Sequence, residues 1–471
     1  KPKLFDDNKF LLQNEYRQIN KNSLTIADFG FVNGHNSSAQ DKGGTRSHLF
    51  TSTVMDLSLD NYVNSTLKID FQKTTNDNYL KLFNLKSPLP LQNDVLESFV
   101  ELNLSHKKYD LTTSIQMYET LKGSNSDRYS FTLPTYDFAK NFNLESINGS
   151  FNFNSTGSNT LSDTNVLSSS ISNNLNYTSL NNFLDNGIKS NFEIFLKNTN
   201  TLGKNNPTYK DTPQSELVSA YAYNASLPLV KKNNKSFNTL EPKLSLRFSP
   251  HDMKNNSNQL RRVDINNVFS SNRLSSGNSF EGGESITLGL NFKKDKINRI
   301  NEVEKYIDLK LASVFRLNEE ENIPINSTLN KKRSNIFGEI NFKPIKNISL
   351  GYDFSLTEDL KTFEYNSLIA KIAFGNFSTQ FDYMEETGVI GHLNMIENKT
   401  RYNFNEQNFI SFNTRRNHEL NLTEYYNLVY EYKNDCLVAA IKYNKNYYND
   451  ADIKPVEELF FSITIVPLAT F

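Results

Sequence analysis

The feature that most constrains this chain is a strict alternation of apolar and polar residues. Tyr426, Leu428, Tyr430 and Tyr432 lie between Asn427, Val429, Glu431 and Lys433. After a polar turn the pattern resumes, with Leu437, Ala439, Ile441 and Tyr443 set against Val438, Ala440, Lys442 and Asn444. A longer polar link, residues 445–454, precedes a run in which Leu459, Phe461, Ile463 and Ile465 keep the phase of Phe471. Successive side chains of a strand point to opposite faces, so a period of two reads as three β-strands with one apolar face each. A run that closes on an in-phase aromatic is expected to be the last strand of a membrane-spanning barrel.

Composition agrees with a sheet that meets lipid on one side only. Of 471 residues, 37% are hydrophobic and the mean hydropathy is -0.57, too polar for a bundle of membrane helices. No apolar run approaches the ~18 residues that a spanning helix requires, and candidate helical windows such as residues 94–99 are short and uncapped. Yet the chain carries 35 Phe and 23 Tyr, with no Trp. A barrel reconciles the two, because every second residue faces lipid and aromatics collect at both interfaces. The net charge of -1 gives no reason to expect nucleic acid. A single cysteine cannot form a disulfide within this chain. An exported barrel needs a signal peptide and none opens the sequence, so Lys1 is expected to follow a cut inside a longer precursor.

The last third is the most regular part. Short polar turns begin at Lys343, Gly375, Asn405 and Lys433, spaced 32, 30 and 28 residues apart. Alternating segments fill the intervals, such as Ile348, Leu350, Tyr352, Phe354 and Leu356, then Leu368, Ala370, Ile372 and Phe374. More variable polar loops join each pair, at residues 357–362, 385–399 and 415–420. Short turns alternating with longer loops are the meander of an up-and-down barrel, with the short turns periplasmic. A periplasmic C-terminus makes the last strand run inward. The turn at residues 433–435 is then periplasmic, and Cys436 beside it lies in an oxidising compartment.

Upstream, Leu244, Leu246 and Phe248, then Ile286, Leu288, Leu290 and Phe292, and also Tyr129, Phe131 and Leu133, continue the pattern. Residues 33–46 and 155–165 read as loops or turns. Residues 198–241, with Pro207, Pro213 and Pro228, read as a long loop folded over or into the barrel. No shift of composition marks a second domain, so residues 1–471 read as one barrel domain. The length predicts an all-β fold, a very large transmembrane antiparallel β-barrel of about 24–26 strands at ~9–11 crossing residues each.

Several stretches are more specific than a barrel pattern. Glu241-Pro-Lys-Leu-Ser-Leu-Arg-Phe-Ser-Pro250, Asp264-Ile-Asn-Asn-Val-Phe-Ser-Ser-Asn-Arg273 and Phe280-Glu-Gly-Gly-Glu-Ser-Ile-Thr-Leu-Gly289 follow in order. Before them stand Asn14-Glu-Tyr-Arg17, Arg46-Ser-His-Leu-Phe50, Asn76-Asp-Asn-Tyr-Leu-Lys81, Arg128-Tyr-Ser-Phe-Thr-Leu-Pro134 and Leu227-Pro-Leu229. After them come Asn434-Asp-Cys-Leu437 and Tyr447-Tyr-Asn-Asp-Ala-Asp-Ile-Lys-Pro455. In this order and spacing they resemble the barrel domain of the LPS-assembly protein LptD family, also called organic solvent tolerance proteins. The resemblance implies a barrel of about 26 strands in the outer membrane of a Gram-negative bacterium, plugged by the lipoprotein LptE. Such a protein takes lipopolysaccharide from the periplasmic bridge protein LptA through an N-terminal jellyroll. It releases its cargo into the outer leaflet between its first and last strands. The jellyroll and first strands precede the matched residues in the family. The chain is therefore expected to be the barrel without its receiving domain, with the first strands that form one side of the gate open to the same absence, which puts independent activity in question.

On that resemblance the last strand, with Leu459, Phe461, Ile463, Ile465 and Pro467, forms one side of the lateral gate. Pro467 removes one ladder donor, which suits a seam that opens and is equally ordinary near a strand end. Phe471 fits the C-terminal signal read by the barrel-assembly machinery. Cys436 matches the family's cysteines that bridge to the N-terminal domain; the plain alternative is a small buried thiol. Asp435 stands where some members have a second cysteine, so one bridge at most is expected.

Arg261, Arg262, Asp264, Arg273, Glu281 and Glu284 cluster at the central motif. They read either as a charged lumenal surface for phosphorylated sugars or as an ion-pair network holding loops to wall. The interleaved signs favour the network. No enzyme is indicated. The six His are scattered with no i,i+4 pair, and there is no G-x-S-x-G and no phosphate-cradling Gly loop. Neither catalytic residues, metal nor cofactor is expected. A general porin or receptor barrel for small solutes is the first alternative. An outer-membrane lipid hydrolase and a secreted β-solenoid fit the sequence less well.

Overall fold

A computed structural model describes residues 2–4, 10–32, 45–83, 85, 87–89, 92, 94–121, 127–143, 148–233, 235–274, 280–297, 303–447 and 456–465. Its strands begin with β1 (Pro2–Leu4), β2 (Phe10–Asn20), β3 (Ser23–Val32), β4 (Arg46–Asp56) and β5 (Tyr62–Thr74). One helical turn, α1 (Tyr79–Leu82), precedes β6 (Val95–His106), β7 (Tyr109–Thr120), β8 (Tyr129–Asn143) and β9 (Gly149–Ser162). The middle holds β10 (Val166–Ser179), β11 (Asn182–Phe183), β12 (Lys189–Lys204), β13 (Gln214–Ser226), β14 (Leu229–Asn233) and β15 (Ser236–Ser249). Next come β16 (Gly283–Ile297), β17 (Val303–Arg316), β18 (Ile336–Ile345), β19 (Ile348–Leu356), β20 (Phe363–Phe374) and β21 (Phe377–Glu386). The last are β22 (Leu393–Asn403), β23 (Asn408–Asn417), β24 (Leu422–Lys433), β25 (Leu437–Asn446) and β26 (Val456–Ile465).

All belong to a single 26-stranded sheet in which successive strands pair antiparallel. β11 and β14 are short continuations of β10 and β13 along the same partners, so they add no crossing of their own. The connections alternate, giving the sheet a turn end (for example residues 21–22, 375–376 and 434–436) and a loop end (75–94, 250–282 and 317–335). The all-β meander expected from the alternation is thus present.

The alternation is inside out relative to a protein whose both faces meet water. Phe29 and Phe31 on β3, Leu49 on β4, and Ile69 and Phe71 on β5 are exposed. Asp28, Arg46, His48, Asp70 and Gln72, in the opposite phase, are buried. On the closing strands Leu428, Tyr430, Ile441, Leu459, Phe461, Ile463 and Ile465 occupy the exposed face, the phase read from the sequence. Apolar rows outside and polar rows inside are the arrangement of a lipid-facing barrel wall. Near the turn end the outer face carries ring pairs: Tyr62–His106 at 5.6 Å, His106–Tyr109 at 4.9 Å, Phe151–Tyr177 at 4.7 Å and Tyr177–Phe192 at 5.7 Å. Phe and Tyr, with His106, build this belt without Trp.

Three sequence expectations need correction. Residues 198–241 are not a long loop: they run from the end of β12 through β13 and β14 into β15. Pro207 and Pro213 lie in the short link 205–213 and Pro228 in the break between β13 and β14, so none removes a ladder donor from a strand interior. Residues 155–162 form half of β9, a polar strand paired on both sides. The connection placed at residues 385–399 shrinks to 387–392, because Leu393–Asn403 pairs with β21 as β22. Residues 94–99, read as too short and uncapped for a helix, need no correction, since residues 95–99 open β6.

Candidate functional site

Two loop-end connections, residues 250–282 and 317–335, turn back onto the inner wall. Val263, Val268, Leu274, Ile323 and Leu329 bury against Ala312 and Val314 of β17 and Phe337 of β18. Side chains of this size stabilise by roughly 1.5–3 kcal/mol each when fully buried. Gly289 on β16 permits a close approach of loop to wall: a Cβ there would stand 2.4 Å from Cζ of Phe269. Only a residue without a side chain lets that ring lie against the wall.

The loops are also stapled by charge. Arg273 Nε donates to Glu281 Oε2 at 2.7 Å and Arg273 Nη2 to Oε1 at 2.6 Å, a bidentate pair. Arg316 Nη1 donates to Glu281 Oε1 at 2.5 Å, and Arg247 Nη1 lies 3.8 Å from the same oxygen. All four residues are buried, and Glu281 is completely so. One carboxylate cannot neutralise three guanidiniums, so wall hydroxyls and loop carbonyls supply further acceptors, while Arg247 Nη1 has no hydrogen-bond partner among the described residues. Arg273 reaches Thr287 Oγ1 (3.0 Å) and Ser285 Oγ (2.8 Å) on β16. Arg247 reaches Glu281 O (2.7 Å) and Ser271 O (3.1 Å), and Arg316 reaches Gly282 O (2.7 Å). Gly283, at φ +82°, turns the chain directly beside Arg316, where a Cβ would sit 2.8 Å from Nη2. Burial alone would raise the Glu281 pKa. The Arg273 charge, then Arg247, the Arg273 hydrogen bonds and Arg316 outweigh it and bring the carboxyl down to about 2.

Of the six charged residues singled out in the sequence, only Arg273 and Glu281 meet in this knot. Arg262 extends away along the same loop, donating to Glu386 Oε1 at 2.7 Å with its guanidinium 3.9 Å from the Tyr365 ring centre. Asp264 opens a turn by accepting the Asn266 and Asn267 amides at 2.8 and 3.2 Å. Arg261 has an exposed side chain and, among the described residues, donates only its backbone N–H, to Asn326 Oδ1. Glu284 faces outward in the exposed phase of Ile286 and Leu288. Arg247 and Arg316 were missed. Their signal was available: each is a cation in the inward phase of a strand whose neighbours Phe248 and Phe315 face out.

A second docked loop joins three of the quoted motifs. Tyr79, Leu80, Phe83, Leu85 and Leu89 bury against Leu11, Val32, Phe50, Leu96 and Leu121 at the loop end of the first strands. Asp77 accepts from Arg128 Nη2 at 2.6 Å, and that atom also lies 3.0 Å from Glu119. His48 Nδ1 and Tyr79 Oη are 3.1 Å apart, while His48 Nε2 lies 3.3 Å from Asp28, which accepts from Gln13 Nε2 at 2.9 Å.

The sheet has a seam. Among the described residues β1 pairs with β2 through Pro2, Lys3 and Leu4 alone, and residues 13–20 of β2 pair only with β3. β26 pairs only with β25. Cα atoms of β1 and β26 come within 8 Å, yet no ladder joins them among the described residues. Leu459, Phe461, Ile463 and Ile465 stand on the outer face beside this seam. Pro467 and Phe471 lie outside the described residues. Cys436 is a free, exposed thiol in the turn at residues 434–436, its N–H donating to Asn434 Oδ1 at 3.0 Å, so the buried alternative does not hold within this chain.

A family model described as LptD, LPS transport system D, matches residues 45–388. The match contains both docked loops and the charge knot, and ends before Cys436 and β26. No curated protein matches the sequence. Among solved structures, the chain is similar to the closed form of the ferric-catecholate import receptor Fiu from E. coli K12. Identity is 9% and the TM-score 0.41, covering 98% of this chain and 80% of that one. It is also similar to the siderophore receptors PirA of Acinetobacter baumannii (8% identity, TM-score 0.33, coverage 95% and 74%) and of Pseudomonas aeruginosa (8%, 0.36, 97% and 79%). Likeness at this level does not bear on function.

Proposed function

Because the chain belongs to the LPS transport system D (LptD) family, we propose that it is the outer-membrane barrel through which lipopolysaccharide enters the outer leaflet. On this reading the turn end faces the periplasm and the loop end the cell exterior. The observation that carries it is the seam. Two strand edges face one another with no hydrogen-bonded ladder between them among the described residues, and an unpaired edge costs far less to separate than a ladder. A glycolipid needs this geometry, since its acyl chains must leave sideways while its sugars stay in water.

The test is photo-crosslinking in cells from Leu459, Phe461 and Ile463 of the full-length protein, with Phe381 on distant β21 as control. Lipopolysaccharide should crosslink from β26 and not from Phe381. Crosslinking that is equal at both places, or absent from β26 in folded protein, overturns the proposal. The plug lipoprotein LptE, the bridge protein LptA through a jellyroll, and recognition of Phe471 by the barrel-assembly machinery follow as partners of this function. Cys436, exposed at the periplasmic turn, is the residue that would tie the barrel to that jellyroll. In the full-length protein, unfolded without reductant, Cys436 should resist thiol reagents and become labelled only after reduction. Ready labelling before reduction would exclude the bridge.

A further inference from the structure

The knot described above interleaves its charges. The inner wall of β19–β23 instead separates them along the barrel axis. Ser349, Lys371, Gln380, Lys399 and Asn413 pair in sequence across five strands to form one inward row. The next row toward the turn end holds Ser378, Arg401 and Ser411. The row toward the loop end holds Asp382, Glu397 and Arg415. The acids of this wall therefore sit toward the loop end, with Arg415 among them, and the two lower rows, nearer the turn end, carry cations and no acid among the described residues.

The lower rows line a cavity of about 620 Å³ that Lys343 and Lys346 also reach. Among the described residues five cations border it and no carboxylate does. Lys399 is held from above by Glu397 at 2.9 Å and Asp382 at 3.6 Å. Arg401 donates to Asn403 and lies 3.6 Å over the Phe409 ring. Lys343, Lys346 and Lys371 have no ion-pair partner among the described residues.

We infer that this wall is a binding site for the phosphate groups of a phosphorylated saccharide, held by Lys343, Lys371, Lys399 and Arg401. Strands stand ~4.8 Å apart, so Lys371 and Lys399, two strands apart in one row, are separated by roughly 10 Å at the backbone. That gap admits one sugar ring with a phosphate at each side. Between the cations lie Ser349, Ser378, Gln380, Ser411 and Asn413, which offer neutral donors and acceptors suited to hydroxyl groups. Its apolar side chains are Ile372, Ala373 and the ring of Tyr306. The volume is that of an ordinary small-ligand site. The inference deepens the transport reading and rests on it for the source of the ligand, placing a sugar-phosphate contact where cargo from the periplasm first meets the lumen.

The probe is deacylated, phosphorylated lipopolysaccharide core oligosaccharide, titrated into the full-length protein in detergent and compared with its dephosphorylated form and with inorganic phosphate. The phosphorylated oligosaccharide should bind at least tenfold more tightly than either comparator. Lys343→Gln with Lys371→Gln should weaken it at least tenfold, with heat-modifiable gel migration confirming a folded barrel. Equal binding of the two oligosaccharides, or unchanged binding by a folded double variant, overturns the site. Inorganic phosphate binding as tightly as the oligosaccharide overturns the saccharide assignment. So does a double variant that keeps oligosaccharide binding and loses only its co-purifying plug protein, which would make the wall a protein contact. Failure of the β26 crosslink would overturn transport and leave this binding result standing, whereas failure here leaves the crosslink intact.

Discussion

Glu281 is the single carboxylate in a buried group of three guanidiniums, and the balance there is unforgiving. Removing one partner of a buried ion pair leaves the others uncompensated, at a cost of about 3–5 kcal/mol. Glu281→Gln keeps the shape and removes the charge, so residues 250–282 should become protease-sensitive while the sheet stays folded. The same group has a pH signature. Its carboxyl titrates at about 2 when folded against the usual 4.5. The folded state therefore binds this proton more weakly than the unfolded chain. The stabilisation is complete above pH 4.5 and drains away as pH falls through 2. Limited acid proteolysis should show loop protection declining across that window in the native protein and a flat profile in Glu281→Gln. Parallel profiles would mean that Glu281 does not hold the loop.

At the scale of elements, the loops matter as much as the strands they join. Gly289 illustrates the fit: Gly289→Val must displace Phe269, with overpacking of this kind costing about 1–3 kcal/mol. Loop protection should fall in Gly289→Val and recover partly when Phe269→Ala is added. Without that recovery, the ring is not the obstacle. What could be read from the sequence divides along the same lines. β19, β20 and β24 to β26 were legible because their outward residues are large and apolar and their turns short. β9 and β13 were hidden because Ser155, Thr156, Ser158, Ala220 and Ala222 give no two-residue contrast, although both strands pair along their length. The docked loops were visible only as quoted motifs. That Asp77 would meet Arg128, or Glu281 meet Arg316, depends on which strands stand side by side, and local spacing does not carry that.

For the whole molecule, the two docked loops occupy the loop end on opposite parts of the meander, one under β2–β7 and one under β15–β18. A barrel so filled should pass little current. In planar bilayers the unmodified protein should show low conductance, and Glu281→Ala, which frees a loop, should raise it several-fold. A large steady conductance in the unmodified protein would favour the porin alternative. The seam has its own mechanical meaning. A tube cut along its length resists bending almost as before but yields easily to torsion, because stress no longer circulates around its circumference. Here the cut runs beside β26, so any twist imposed on the wall, by a docking partner or by lateral pressure in the bilayer, is relieved as sliding of the two rims past each other. The remaining strands can stay rigid throughout.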